Sequence, residues 1–419
     1  MVSGAARQES GVGSQESEAS LPAPDSWLPS PLRRPIRAVI TADNHLSRGH
    51  SKMSPQKLEM RRRYLRNGFK AAVDYAIESE ADLFLQAGDL FDSPQPRNVD
   101  RAFVAHELRR LAAAGVRIFG IAGTHDSPRM MTIEGGTTPQ RIYEQFEAMH
   151  MFNGFDDPTP VTVDVEGVSV AIGGVSFNPV LMASDDPLAG IEFPRSADIG
   201  IMLVHYSVEG ACYDESNEPV VSKAAINSLE GVDLLVAGHY HDFRQFGIGR
   251  IKVLIPGATE RMIYGAEREA SFAYVELLPG KADRIQKVVV DGQDYRPVTV
   301  RTTELDEREP FESACARLET AVSPEAVVKV TLEGPLTRDM YRGLRLRELL
   351  QWGSNHCFHF EIDSSGLALL DERLESAGKG VRLSLREEMS LVAQQLIEQE
   401  PEHREALEKA RQELLLAYE

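Results

Sequence analysis

The stretch DLFLQAGDLFD, residues 82–92, runs from an apolar core segment straight into two carboxylates. Its first half, Asp82–Gln86, has the composition of a buried strand, bounded by Asp and Gly. Its second half, Gly88-Asp89-Leu90-Phe91-Asp92, places acidic side chains where such a strand ends. Five other segments repeat the arrangement: Arg37–Ala42, Arg117–Ala122, Gly200–Val204, Asp233–Ala237 and Lys252–Ile255. They run into Asp43-Asn44-His45, Gly123-Thr124-His125-Asp126, His205, Gly238-His239-Tyr240-His241 and Pro256-Gly257-Ala258-Thr259-Glu260-Arg261. Ligands of open α/β sheets bind beyond the carboxyl ends of the strands, and five of the six ends carry Asp or His.

The segments between these strands suit helices. Ser54-Pro55 opens one, a cap followed by proline at the first helical position, with Leu58, Leu65, Phe69, Ala72, Val73, Ala76 and Ile77 along one face. A second is expected at about Val99–Ala114. Val161–Phe177 alternates around Glu166-Gly167 and predicts a hairpin, so the sheet is partly antiparallel. These patterns give an α/β layered core. After about Pro297, Val327–Leu332, Thr337–Gln351 and Cys357–Ile362 predict a small β-α-β unit. Leu385, Met389, Val392 and Leu396, then Leu407, Ala410, Leu414 and Ala417, mark two amphipathic helices. The organisation expected is a disordered tail over 1–35, a catalytic domain over 36–297, a small α+β domain over 298–380 and a helical segment over 381–419.

Composition narrows the class. With 42% apolar and 26% charged residues in 419, the chain has the make-up of a soluble globular protein. It carries neither a membrane-length apolar run nor a signal pattern, so a cytoplasmic location and no membrane partner are expected. Cys212, Cys315 and Cys357 are too few and too scattered for a disulfide framework or cysteine-ligated zinc. The net charge of −19 weighs against a nucleic-acid substrate, since backbone-phosphate binders usually present a basic surface.

Carboxylate mixed with imidazole suits manganese, iron or zinc, whereas calcium and magnesium prefer oxygen alone. In Asp-x-His and His-x-His, alternate residues of an extended segment would face one pocket. Asp89, alone after Gly88, is the natural bridge between two ions. Two ions about 3.5–4 Å apart can hold a hydroxide and clamp phosphoryl oxygens during in-line attack. Each motif alone is weak, but their order and common placement point to a metal centre. Arg129 and Arg261 follow these motifs, and could clamp phosphate or form structural ion pairs. Tyr206 and Tyr240 could line a groove or pack. His50 is expected in an exposed loop, His356 and His359 as structural residues, and Arg61-Arg62-Arg63 as a solvated helix face.

Asp-x-His, Gly-Asp-x-x-Asp, Gly-Asn-His-Asp (here with Thr124 at the Asn position), a lone His and Gly-His-x-His, in that order, are the signature of calcineurin-like metallophosphoesterases, which this chain resembles over about residues 36–265. Gly88–Asp92, His125–Arg129 and Pro256–Arg261 further resemble the SbcD branch, nuclease subunits of double-strand-break repair. The resemblance implies a four-layer αββα sandwich with a small C-terminal α+β cap domain and terminal helices. It also implies metal-dependent hydrolysis of DNA as an exonuclease or endonuclease, with an SMC-like coiled-coil ATPase of the SbcC type as partner and a homodimer. The alternative is a phosphoesterase of nucleotides or other small phosphoesters.

By the same resemblance one ion, most simply manganese, is held by Asp43, His45, Asp89 and His241. A second is held by Asp89, Thr124, His205 and His239. His125 assists the leaving group, with Asp126 orienting its imidazole. Two departures stand out. Thr124 replaces the family's Asn, and a hydroxyl is a shorter, poorer ligand. Asp92 stands where some relatives carry a catalytic His.

Overall fold

The computed structural model describes residues 34–128, 137–211, 217–262, 269–279, 281–370, 383–384, 390–394, 396–397 and 403–416. The chain forms two units, Met1–Pro35 and Ile36–Glu419. The tail expected over 1–35 lies outside the described residues except for Arg34 and Pro35, and so do Arg129, Cys212 and much of 381–419.

Two six-stranded sheets organise the second unit. The first contains β1 (Ile36–Thr41), β2 (Leu83–Ala87), β3 (Arg117–Ile121) and β4 (His150–Phe152), all parallel. The second is built on the hairpin of β5 (Val161–Val165) and β6 (Val168–Gly174), followed by β7 (Ile199–Val204). A short pair, β8 (Ser207–Val208) and β9 (Val220–Val221), stands apart. The second sheet then continues with β10 (Leu234–Ala237), β11 (Arg244–Ile248) and β12 (Ile251–Ile255). Finally β13 (Ser271–Leu278) returns antiparallel to β1 and pairs with β14 (Lys281–Val289) at the edge of the first sheet.

Alternation along the strands sorts side chains into layers. Leu83, Leu85 and Ala87 of β2 face the second sheet, where Ile172, Leu203 and Val236 meet them; Phe84 faces outward. Outside the first sheet, Phe84 packs with Leu65 and Phe69 of α1 (Pro55–Glu78) and Val104 and Leu108 of α2 (Asn98–Ala113). A five-residue α3 (Arg141–Gln145) precedes β4. Ser54 caps α1 by accepting from the Lys57 amide. Outside the second sheet, Met202, Leu235 and Val253 are covered by Leu188, Phe193 and Ile226. The layering is αββα, but the fourth layer consists mostly of irregular chain and the six-residue α4 (Lys223–Ser228).

A third sheet follows: β15 (Tyr295–Arg301), β16 (Val327–Leu336) and β17 (His359–Leu369) are parallel, with β18 (Leu383–Ser384) antiparallel at the edge. It has its own core, in which Val330, Leu332 and Leu367 meet Ala314 and Leu318 of α5 (Pro310–Leu318). The helix expected over Thr337–Gln351 is two helices, α6 (Arg338–Gly343) and α7 (Leu346–His356). Arg345, at φ 43° in the left-handed region, breaks the run, while Thr337 caps α6. A last helix, α8 (Arg404–Leu416), lies near the C-terminus. Val392 and Leu396, expected on an apolar stripe, are exposed.

Residues linking the third sheet to α1 depart most from expectation. Arg61 is not solvated. It is 4% exposed, stands over the Tyr295 ring at 5.0 Å and pairs with Glu260 at 3.2 Å. Leu58 leaves the main core for a small cluster with Met53, Tyr295, Val327 and Phe358. No helix among the described residues is long and apolar enough to cross a membrane.

Candidate metal centre

Six chain segments converge where the parallel strands of the two sheets end. The convergence does not come from strand pleating, as the alternate spacing of Asp43 and His45 predicts. Asp43, His45, Asp89 and His239 all have positive φ, at 50°, 45°, 52° and 83°. Backbone in this region is strained for non-glycine residues and clusters where side chains must be aimed. Hydrogen bonds hold the strained segment: Asp43 N–H donates to the Gly88 carbonyl and His45 N–H to that of Asp89, at 3.1 and 3.0 Å. Asn44 points the other way, donating to Thr41 and Thr259 at 2.8 and 2.9 Å.

Asp43, Asp89 and His205 are at most 2% exposed. His205 Nδ1 donates to the Ala87 carbonyl at 2.7 Å, which turns Nε2 toward the carboxylates; that Nε2 is buried without a hydrogen bond, 3.3 Å from Asp89 Oδ2. His45 Nδ1 donates to Asp92 Oδ1 at 3.0 Å, so its Nε2 also faces inward. There it lies 3.2 Å from His241 Nε2 and 3.7 Å from Asp89 Oδ2. Asp43 Oδ1 is 3.7 Å from His241 Nε2 and 3.9 Å from His205 Nε2. Both Asp43 and Asp89 therefore belong to donor groups on two sides of the cluster.

These residues fit divalent cations. Metal–ligand bonds of about 2.0–2.2 Å put neighbouring donor atoms about 3–3.6 Å apart, close to the separations above. Glycines keep the space open. A Cβ on Gly88 would stand 2.3 Å from His205 Nδ1, and one on Gly123 2.3 Å from Asp89 Oδ1. The charge balance agrees. Burial raises the Asp43 carboxyl to about 6. Burial also opposes the charge of His205, yet Asp89 and Asp43 lift its imidazole to about 9. Two buried carboxylates here require cationic partners. Divalent metal, when bound here, would supply Lewis-acid polarisation of a phosphoryl oxygen and acidify water.

His239 is positioned from two sides. Its amide donates to both oxygens of Asp43 at 3.1 Å, and its Nε2 meets Glu218 Oε2 at 2.5 Å. Its Nδ1 is then left toward Thr124 Oγ1, 3.5 Å away. Glu218 lies in the irregular loop before β9, and no motif in the sequence marks it.

His125 is half exposed, its ring 4.7 Å from that of His45. Its amide donates to Asp89 Oδ1 at 2.7 Å, and its Nδ1 lies 3.8 Å from Asp92 Oδ1. Asp126 does not orient that imidazole. Fully buried, its carboxylate accepts from the amides of Leu90, Phe91 and Gly123, at 3.1, 2.9 and 3.1 Å. It thereby ties the third strand end to the Asp89 turn. Arg261 Nη1 lies 3.5 Å from Asp294, and its carbonyl accepts from Arg61. Tyr206 is buried, its hydroxyl accepting from the Asn178 amide at 2.6 Å, and Tyr240 accepts from Arg244 at 2.9 Å.

The family description "Calcineurin-like phosphoesterase" matches residues 36–243, which include Asp43, His45, Asp89, Thr124, His125, His205, Glu218, His239 and His241 but not Arg261. "DNA double-strand break repair protein Mre11" of Sulfurisphaera tokodaii is 28% identical over 69% of this chain and 73% of its own length. The protein of the same name from Methanosarcina mazei is 24% identical over 72% of this chain but only 46% of its own. That from Sulfolobus acidocaldarius is 24% identical over 82% of this chain and 87% of its own. The chain thus spans about half of some relatives and most of others. Through residues 36–243 it belongs to the calcineurin-like phosphoesterases and is a metal-dependent phosphoesterase.

Proposed function

We propose that the chain is a nuclease that hydrolyses DNA phosphodiesters. Similarity to proteins named for DNA double-strand break repair carries this reading, because at 82% of the chain it extends beyond residues 36–243. In this reading Asp43, His45, Asp89 and His241 hold one ion, and Asp89, Thr124, His205 and His239 hold the other, manganese being the favoured metal. His125, exposed at the rim of the cluster, donates a proton to the departing oxygen. Asp92 fixes His45, and Glu218 fixes His239. Arg261, and Arg129 outside the described residues, bind phosphate.

The third sheet would cap the DNA, and the C-terminal helices would bind an SMC-like coiled-coil ATPase of the SbcC type. Homodimerisation and a cytoplasmic location complete the proposal. A phosphoesterase acting on small substrates is the second reading, favoured by the net charge of −19. The deciding assay offers manganese-loaded protein linear single- and double-stranded DNA beside bis(p-nitrophenyl) phosphate, with and without a co-purified ATPase. DNA cleavage supports the nuclease. Turnover of the small ester with DNA left intact throughout rejects it.

A further inference from the structure

A second group of metal-ligating side chains lies away from the main cluster. His50 comes from the loop between β1 and α1, and His359 and Glu361 come from the start of β17. His359 and Glu361 alternate on one strand and so share a face. His359 Nε2 lies 3.0 Å from Glu361 Oε1, and His50 Nε2 lies 3.4 Å from the same oxygen. The two imidazoles stand 4.9 Å apart at 75°.

We infer that His50, His359 and Glu361 form a separate transition-metal site of the zinc type, which clips the loop after His45 to the third sheet. Two imidazoles and one carboxylate are a known zinc donor set, and the donor separations suit metal–ligand bonds of about 2.0–2.2 Å. The two oxygens of Glu361 divide their work. Lys52, largely exposed, takes Oε2 at 3.2 Å and leaves Oε1 to the histidines. His359 is 6% exposed. His50 Nδ1 is buried without a hydrogen-bond partner, while Nε2 faces the Glu361 oxygen at 3.4 Å. An open groove of about 500 Å³, whose wall includes His359, Glu361, Lys52 and Lys57, lies beside this group. The competing arrangement is a metal-free one, in which Glu361 simply accepts from both imidazoles.

The test uses the full chain with the main centre disabled by Asp89→Asn and His205→Ala, alone or with His50→Asn or Glu361→Gln added. After chelator stripping and dialysis against zinc, the disabled chain should retain about one zinc, and either added substitution should weaken retention at least about tenfold. Cobalt loaded in place of zinc should give the intense visible absorption of a four-coordinate site. Zinc should also raise the melting temperature of the disabled chain and leave the His50→Asn chain unmoved. In the otherwise unaltered chain, His50→Asn should remove about one zinc equivalent, so the outcome does not depend on the disabled background. Equal zinc in all chains, or cobalt spectra indifferent to His50 and Glu361, would overturn the site.

Discussion

Glu218 Oε2 sits 2.5 Å from His239 Nε2, so the carboxylate fixes which imidazole nitrogen faces Thr124 and the buried carboxylates. Partners of this kind set the tautomer and basicity of a ligating histidine. Replacing Glu218 with Ala should weaken manganese binding about 10–100-fold, measured by calorimetry on metal-stripped protein. Unchanged binding would reduce the contact to a surface ion pair.

Thr124 bears on the same side of the centre. Its hydroxyl is 3.5 Å from His239 Nδ1 and reaches less far than an amide. Thr124→Asn should tighten the weaker of two binding events in a manganese titration by about tenfold, comparable to the effect of a well-placed ligand contact. A titration curve identical to that of the unaltered chain would count against Thr124 as a weak ligand.

His125 is exposed, yet its imidazole reaches within 4.8 Å of donor atoms of His45 and Asp89. His125→Asn should lower turnover of bis(p-nitrophenyl) phosphate by about 100- to 10,000-fold, the usual range for a lost general acid. Metal content, measured by mass spectrometry, should stay the same. Loss of metal along with activity would move His125 into the metal site.

The Arg61–Glu260 pair gives an expectation about stability. Both side chains are nearly fully buried, and Glu260 also accepts from the Arg261 and Gln293 amides at 2.8 and 3.0 Å. Removing one partner strands a buried charge, so Arg61→Met should cost about 3–5 kcal/mol in urea unfolding. A cost below about 1 kcal/mol would mean that the pair behaves like a surface ion pair.

The strand ends were legible in the sequence because a buried strand meets an abrupt Asp or His there, and Asp43, Asp89, His205 and His241 meet within a few ångströms. The means of convergence was not legible. Left-handed backbone at Asp43 and His45 leaves no signature in residue spacing. Glu218 was invisible because a loop carboxylate acquires its role only from the chain folded opposite it. Arg61 looked solvated because its partners, Glu260 and Tyr295, lie some two hundred residues away. The β13–β14 hairpin went unread because no polar motif ends it, and the heavily charged sequence of edge strand β14 lacks a buried pattern.

Manganese titrated into chelator-stripped protein, with hydrolysis of bis(p-nitrophenyl) phosphate followed at each addition, tests the metal centre most directly. The expected result is no turnover in stripped protein, recovery that saturates near about two equivalents, and no recovery in His205→Ala. Turnover by the stripped protein, or full recovery in His205→Ala, would contradict a metal centre built on the Asp43, Asp89 and His205 cluster.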